Sequence, residues 1–279
     1  MKTGKFPDLV YKQNVQARPE KWSILNMYHN IDLLNFNLMN STILQFRAVI
    51  FTVLICLLTS TFSFAQENKE LIIVTFGNST TAPRKGIEKV YAVRIHDALA
   101  EAGIPNKVIN SGIGGSHTGS IKDSQIPKIE HGMDRFNKAV LAHHPDWVTL
   151  NFGLNDAYQD QGEGTSSRIP LENYISNLTY FIAEIKKNNG KVILLTPNPL
   201  SSKLKHFHHE RLKLYRDAVI KLAKAQDVEL INSWKLFGTY AKKNPGGMEA
   251  LLPDGTHPMD TGHELIAREI VKIIKKKNR

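Results

Sequence analysis

The sequence has little cysteine and no long apolar segment, and both shortages limit what the protein can be. Its 279 residues contain a single cysteine, Cys56, so no disulfide forms within the chain and stability must come from a hydrophobic core. The longest mainly apolar run, residues 48–58, is shorter than the roughly 20 residues that a membrane-spanning helix needs. Basic side chains do not alternate with aromatic ones along a stripe, so no nucleic-acid-binding face is predicted.

The apolar run fits a secretory signal peptide. It follows Arg47 and precedes the small-residue sequence Ser63-Phe64-Ala65. A basic residue, an apolar segment of this length and small residues before the cut are typical of such signals. We therefore predict a signal over residues 39–65, and a secreted or periplasmic protein with no stable membrane insertion after cleavage. An uncleaved anchor and a buried core helix are the alternatives.

Residues 1–38 lie upstream of this signal, whereas a signal normally begins at the start of the chain. We expect translation to begin at Met39, with a disordered leader over residues 1–38 as the alternative. Residues 66–279 are then long enough for one domain. Residues 1–65 hold six basic and three acidic residues of a chain with a net charge of +10. The remaining charge of about +7 lies largely at the ends of predicted helices, where cations are favourable.

Strand-like and helix-like segments alternate along residues 66–279. Continuous apolar runs predict buried strands, and a 3.6-residue apolar period predicts the helices between them. The predicted strands are 71–76, 107–110, 147–152, 191–196 and 228–232. The predicted helices are 86–102, 132–143, 170–188, 209–225 and 261–274. This alternation indicates a five-stranded parallel sheet that is covered by helices on both faces.

Small and polar residues follow three of the predicted strands, and a fourth polar block precedes the last helix. The blocks are Gly77-Asn78-Ser79, residues 111–118, residues 153–156 and residues 254–257. In open α/β sheets the binding crevice lies beyond the carboxyl ends of the strands, so we expect the blocks to meet there. The polar loops 157–169 and 197–208 are expected to line the same site.

These blocks contain the groups that acyl transfer requires. A serine hydroxyl needs a base to remove its proton, a histidine serves near neutral pH, and a carboxylate must fix the histidine tautomer. Asp254 and His257 are three residues apart, close enough for the carboxylate to accept from the imidazole Nδ1. Backbone N–H groups of a glycine-rich turn and an asparagine amide are suitable donors to the developing oxyanion.

The four blocks, in this order, resemble the GDS, glycine-rich, GxND and DxxH blocks of the SGNH/GDSL hydrolases. The match extends from Gly77 to His257 and covers nearly all of the predicted domain. The resemblance implies a flavodoxin-like three-layer αβα sandwich and no metal or organic cofactor. It also implies a catalytic triad of Ser79, His257 and Asp254, with the serine as nucleophile.

The resemblance further implies an oxyanion hole with three donors. These are the N–H of Ser79, the N–H of Gly115 and the side-chain amide of Asn155. One departure from the family pattern is Asn78, which stands where the first block usually has aspartate. The substitution removes a negative charge beside the site, although asparagine can keep much of the hydrogen bonding.

Three further polar residues lie in or near the blocks. Arg84 is a candidate for binding a carboxylate or sulfate of an acidic sugar, and His117 is a candidate for touching the substrate. The alternatives are a surface ion pair for Arg84 and a hydrogen-bonded loop position for His117. Asp156 is expected to brace the loop that carries Asn155. A dinucleotide fingerprint is excluded because its third glycine would fall at His117.

The expected function is a secreted serine esterase that hydrolyses small O-acyl groups, with acetyl groups on carbohydrates as the preferred substrate class. Secretion, polar loops and the lack of a long apolar lid favour such a hydrophilic substrate. A lipolytic esterase or thioesterase acting on longer acyl chains is one alternative. A non-catalytic carbohydrate-binding module is another, and Asn78 is its main support. The expected partner is thus a small-molecule or polysaccharide ester, and the sequence does not determine the oligomeric state.

Overall fold

The computed structural model describes residues 69–123 and 129–278, and in the upstream part residues 27, 29–32, 34, 35, 38, 39, 42 and 44–52. The chain divides into two compact units, Met1–Glu67 and Asn68–Arg279. The described residues of the first unit are helical and exposed. Most of the predicted leader and signal lies outside the described residues, so both stay predictions. No helix in the described part of the chain is long and apolar enough to cross a membrane.

The second unit is built on a five-stranded parallel sheet. Its strands are β1 (Leu71–Gly77), β2 (Asn106–Gly112), β3 (Trp147–Asn151), β4 (Lys191–Leu195) and β5 (Glu229–Ile231). Their order is β2-β1-β3-β4-β5, and all neighbours are parallel. This is the strand order of flavodoxin-like sheets, so the predicted sheet is confirmed.

Helices connect the strands and cover both faces of the sheet. In the described residues they are α1 (Tyr91–Glu101), α2 (Gly132–Ala139), α3 (Leu171–Lys187), α4 (His206–Ala225), α5 (Ser233–Lys243), α6 (Gly247–Leu251) and α7 (Asp260–Lys277). Single 3₁₀ turns lie at Ile121–Asp123 and Leu141–His143.

Two hydrophobic clusters lie on opposite faces of the sheet, because successive side chains of a strand point in opposite directions. Val74 and Phe76 of β1 pack in one cluster with apolar residues of α2, α3 and α4. Ile73 of the same strand packs in the other cluster with residues of α1, α5, α6 and α7. The predicted three-layer αβα sandwich is therefore confirmed.

The sequence prediction missed α5 and α6, which occupy residues between β5 and the last helix. The Asn232 side chain caps α5 by accepting a hydrogen bond from the backbone N–H of Lys235 at 2.9 Å, and Phe237 of α5 is fully buried. An asparagine immediately before an apolar periodic segment is the signal that indicates such a helix.

Several predicted boundaries also moved. Helix α1 begins at Tyr91 and not at residue 86, and α4 begins at His206 and not at residue 209. The helix predicted over 132–143 ends at Ala139, because Val140 leaves helical geometry with φ −131° and ψ −68°. The later start of α1 lengthens the loop after β1, whereas the earlier start of α4 shortens the loop after β4.

The ends of β1, β2 and β3 lie side by side, since Gly77 pairs with Gly112 on one side and with Asn151 on the other. The loop after β1 packs directly against the end of β2. A Cβ atom on Gly112 would lie 2.3 Å from the Ala82 nitrogen and 2.6 Å from the Thr81 carbonyl carbon. Glycine at position 112 therefore permits the close approach that seats the Ser79 loop.

We expect Gly112→Ala to lower the free energy of unfolding by about 1–3 kcal/mol, the usual cost of overpacking, because backbone atoms cannot move aside easily. Urea denaturation measures the change. Gly114→Ala is the matched control, since a Cβ there meets no atom within 4 Å. Equal stability of the two variants would show that the close approach at Gly112 is unimportant.

Candidate active site

The carboxyl edge of the sheet brings together two side chains that are 178 residues apart. Ser79 lies in the turn after β1, and His257 lies in the loop between α6 and α7. The Nε2 atom of His257 is 2.9 Å from the Oγ atom of Ser79, which is within hydrogen-bonding distance. A neutral imidazole at this distance can accept the hydroxyl proton.

Asp254 holds the other side of the imidazole ring. Its Oδ2 is 2.8 Å from His257 Nδ1, while its Oδ1 accepts the backbone N–H groups of Thr256 at 2.9 Å and His257 at 2.8 Å. Burial by itself would raise the pKa of Asp254, but these N–H donors and the His257 side chain lower it to about 2. An ionised carboxylate here favours a proton on Nδ1 and leaves Nε2 as the acceptor.

The turn that carries Ser79 is fixed by Asn78, which is fully buried. Its Oδ1 accepts the Thr80 N–H at 2.9 Å and the Thr80 hydroxyl at 2.8 Å. Its Nδ2 has no hydrogen-bond partner within the described residues. The acceptor oxygen that an aspartate would provide is therefore retained by asparagine, and the turn forms without the usual negative charge.

Of the three predicted oxyanion donors, Ser79 and Asn155 line the cavity, whereas Gly115 is not among its lining residues. Gly115 has φ +77°, in the left-handed region that glycine adopts without strain. Asn155 lines the same cavity as Ser79, and its Nδ2 donates to the carbonyl oxygen of Ser116 at 3.0 Å. The asparagine loop and the glycine loop are therefore joined directly at this edge of the sheet.

Asp156 links the loop that carries Asn155 to the glycine-rich loop after β2. Its carboxylate accepts the Thr118 N–H at 2.8 Å, the Thr118 hydroxyl at 2.6 Å and the Gly153 N–H at 2.9 Å. Burial raises the pKa of Asp156 to about 6, although Thr118 and Gly153 oppose this rise. The expectation that Asp156 braces the Asn155 loop is confirmed.

A cavity of about 160 Å³ opens over Ser79 and His257. Loop 157–169 contributes Ala157, Tyr158 and Arg168. The other predicted loop contributes Leu200, Leu204 and, at the start of α4, His208. The remaining lining residues are Leu154, Asn155, Leu212 and Thr256. Both polar loops thus line the site as predicted. The sequence analysis did not single out the individual wall residues, because no motif marks them.

A larger cavity of about 640 Å³ lies elsewhere, between β5, α5 and α7. It contains none of the predicted site residues, so its size does not make it the active site. In the described part of the chain, no group of three histidine, cysteine, aspartate or glutamate side chains is arranged to hold a metal ion.

Arg84 lies against the Asp254 loop and does not line the cavity. Its guanidinium donates to the Pro258 carbonyl oxygen at 3.0 Å and to Asp254 Oδ2 at 3.5 Å. The positive charge is therefore engaged with the loop that carries His257. The ion pair with Asp254 agrees with the alternative given for Arg84, and its contact with an acidic substrate stays a prediction.

His117 is fully buried, so it also does not reach the cavity. Its ring stacks on His131, with centroids 3.5 Å apart and planes 6° apart. Burial, with a smaller effect of His131, lowers the pKa of His117 to about 3. The imidazole is enclosed by protein at this position, so the burial does not support the predicted substrate contact of His117.

A flavodoxin-like sheet with a hydrogen-bonded Ser-His-Asp chain at its carboxyl edge defines the SGNH class of hydrolases. The model of the GDSL-like Lipase/Acylhydrolase family matches residues 75–265, which include every block described above. The chain belongs to this family. It is accordingly a carboxylic ester hydrolase.

Individual relatives agree with this assignment. A lipase/acylhydrolase structure from Enterococcus faecalis is 30% identical, with a TM-score of 0.59, over 74% of this chain and 96% of the other. An arylesterase of Vibrio mimicus is 26% identical over 75% of this chain and 92% of its own length. An acetylxylan esterase of Geobacillus stearothermophilus is 25% identical over 66% of this chain and 78% of its own.

The buried His117 predicts a loss of stability in acid. Because the folded-state pKa of about 3 lies below the unfolded value of about 6.5, only the unfolded state takes up a proton between these values. The contribution of the neutral His117 to the free energy of unfolding is fully present above pH 6.5 and is lost as pH falls towards 3. We expect His117→Phe to remove about 2 kcal/mol of the stability loss between pH 7 and pH 5, measured by urea denaturation.

The control for this measurement is His206→Phe, because His206 is exposed at the start of α4. This variant should keep the pH dependence of the wild type. If His117→Phe shows the same acid sensitivity as the control, the buried imidazole does not contribute to acid lability.

Proposed function

We propose that the protein is a secreted serine esterase that removes small acyl groups, acetyl above all, from carbohydrate esters. Ser79 is the nucleophile, His257 the general base and acid, and Asp254 the residue that orients the imidazole. The observation that carries the proposal is the 2.9 Å distance between Ser79 Oγ and His257 Nε2, together with the 2.8 Å contact of Asp254 on the opposite ring nitrogen.

In the first half-reaction, Ser79 Oγ attacks the carbonyl carbon of the ester while its proton passes to His257 Nε2. The carbonyl oxygen becomes an oxyanion, which accepts hydrogen bonds from the N–H groups of Ser79 and Gly115 and from Asn155 Nδ2. The bond to the alcohol oxygen then breaks. His257 gives its proton to that oxygen, so the alcohol leaves and an acyl-serine remains.

In the second half-reaction, a water molecule attacks the acyl-serine. His257 Nε2 removes a proton from the water, and the same donors bind the oxyanion again. Collapse of this intermediate releases the carboxylic acid and returns the proton to Ser79. The negative charge of Asp254 stabilises the imidazolium formed in both steps, and its two backbone N–H donors keep it ionised.

The cavity supports a small acyl group. Its volume of about 160 Å³ is below the roughly 300–1,000 Å³ that is usual for sites of larger ligands. The polar loop 157–169 beside it suits a hydroxyl-rich alcohol. Similarity to an acetylxylan esterase of Geobacillus stearothermophilus favours an acetylated carbohydrate over a lipid.

The intact hydrogen-bonded chain also supports an enzyme over a binding module on the same fold. Asn78 was the main argument for lost activity, but its Oδ1 keeps two hydrogen bonds to Thr80. The apolar run over residues 48–58 supports secretion. Under this proposal, residues 66–279 are the exported hydrolase domain.

The nucleophile is tested by Ser79→Ala in the purified protein. We expect the rate of p-nitrophenyl acetate hydrolysis to fall by roughly 10⁴-fold or more, because alanine has no hydroxyl that could take the acyl group from the ester. The alanine variant should also fail to react with a fluorophosphonate probe, which requires an activated serine.

Ser166→Ala is the matched control, since Ser166 is an exposed serine in loop 157–169 and does not line the catalytic cavity. It should keep full activity and full labelling. Hydrolysis by Ser79→Ala at the wild-type rate would remove Ser79 from the mechanism and with it the proposed function.

The size of the cavity predicts a preference for short acyl chains. We expect kcat/KM for p-nitrophenyl acetate to exceed that for the octanoate by about tenfold or more, since an oversized chain costs about 1–3 kcal/mol. Leu204→Ala should enlarge the cavity and raise the ratio of octanoate to acetate activity. Leu214→Ala, an exposed position of α4, should leave the ratio unchanged. A wild-type preference for octanoate would favour the lipolytic alternative.

A further inference from the structure

We infer that Arg168 is a positioning residue that fixes the side-chain amide of Asn155, so that one Nδ2–H points at the acyl oxygen. The inference rests on the proposed function, in which Asn155 is an oxyanion donor. Arg168 belongs to no sequence block of the family pattern described above. It lies in loop 157–169 and lines the same cavity as Ser79 and His257.

The Asn155 amide is held at both of its polar atoms. Its Oδ1 accepts a hydrogen bond from Arg168 Nη1 at 3.4 Å, and its Nδ2 donates to the Ser116 carbonyl oxygen at 3.0 Å. A primary amide has two N–H donors and one carbonyl. One N–H is used by Ser116, so the other stays available to a ligand in the cavity, and the amide cannot turn over without losing both contacts.

Arg168 is itself fixed by the loop that carries it. Its Nε and Nη2 donate to the two carboxylate oxygens of Asp160 at 2.8 Å and 2.7 Å. Its guanidinium lies 4.7 Å from the centroid of the Tyr158 ring, and its backbone N–H donates to the Tyr158 carbonyl oxygen at 2.9 Å. Only 14% of the side chain is exposed.

These contacts give Arg168 two effects on the site. A bidentate ion pair holds the guanidinium in one orientation, so the third contact, on Asn155, keeps the amide preorganised for the oxyanion. A cation on the amide oxygen also draws electron density from the amide and makes its N–H groups stronger donors. Both effects act on the transition state more than on the bound ester, in which the carbonyl oxygen carries little charge.

The expected signature is therefore a fall in kcat with little change in KM. A single oxyanion donor is worth roughly 10²–10³ in rate. We expect Arg168→Met to lower kcat for p-nitrophenyl acetate by roughly 10- to 100-fold, which is part of the effect of one donor. The KM should change by less than about threefold. Arg168→Lys keeps the charge but lacks the planar fork, and it should recover only part of the rate.

The decisive experiment is a double-mutant cycle with Arg168→Met and Asn155→Ala. If Arg168 acts through Asn155, the double variant should be about as slow as Asn155→Ala alone. If the two losses multiply, Arg168 acts independently of Asn155 and the inference is overturned. Asp160→Asn provides a second route, since it loosens Arg168 without removing it, and its effect should likewise vanish in the Asn155→Ala background.

Arg216→Met is the matched control. Arg216 also contacts a carboxylate, Asp217 at 2.7 Å, and lies 4.8 Å from the ring centroid of Trp234, but it does not line the cavity. It should keep the wild-type kcat; a loss equal to that of Arg168→Met would overturn the inference.

The cycle and the Ser79→Ala variant together separate failure of this inference from failure of the proposed function. Activity that survives Ser79→Ala would refute the proposed function. Activity that depends on Ser79 and Asn155, combined with multiplicative losses in the cycle, would refute only the role of Arg168.

Discussion

The hydrogen bond between Ser79 and His257 depends on all strands of the sheet running in the same direction. Parallel strands place every carboxyl end at one edge, so the loops after β1, β2 and β3 begin next to each other. The loop with His257 comes from elsewhere and needs its own anchor. Asp260, the first residue of α7, provides it by accepting the N–H groups of Glu88 and Lys89 and pairing with Arg94 at 2.6 Å.

Buried polar side chains, Arg135 and Asp156, hold the loops of the site in place through hydrogen bonds. Arg135 donates to the carbonyl oxygens of Ser111 at 2.5 Å and Gly77 at 2.8 Å, and burial lowers its pKa to about 10. Asp156 accepts three hydrogen bonds from neighbouring loops. Burying such groups is unfavourable unless their hydrogen bonds are made, so the loops stay where those bonds are satisfied. A site held in this way suits catalysis by preorganised donors, which lose their value when they must rearrange.

The cavity walls and the proposed catalytic groups have different structural origins. Ser79 and Asn155 follow β1 and β3 at the carboxyl edge of the sheet, and His257 precedes the anchored start of α7. Tyr158 and Arg168 lie in a long loop and are held by contacts within it. Substrate preference in this fold can therefore change by loop variation while the Ser-His-Asp chain stays in place. The contact between Arg168 and Asn155 is the point where the two parts meet.

The alternation of strands and helices could be predicted from apolar periodicity, which records the buried faces, and the polar blocks were enough to single out Ser79 and His257. The sequence by itself could not determine the distance between them, because two residues so far apart along the chain meet only when the sheet and α7 have packed. The burial of His117 and the turn of Arg84 towards Asp254 were likewise decided by tertiary structure. The contacts of a loop side chain depend on which distant residues pack against the loop, and the neighbouring sequence does not encode those contacts.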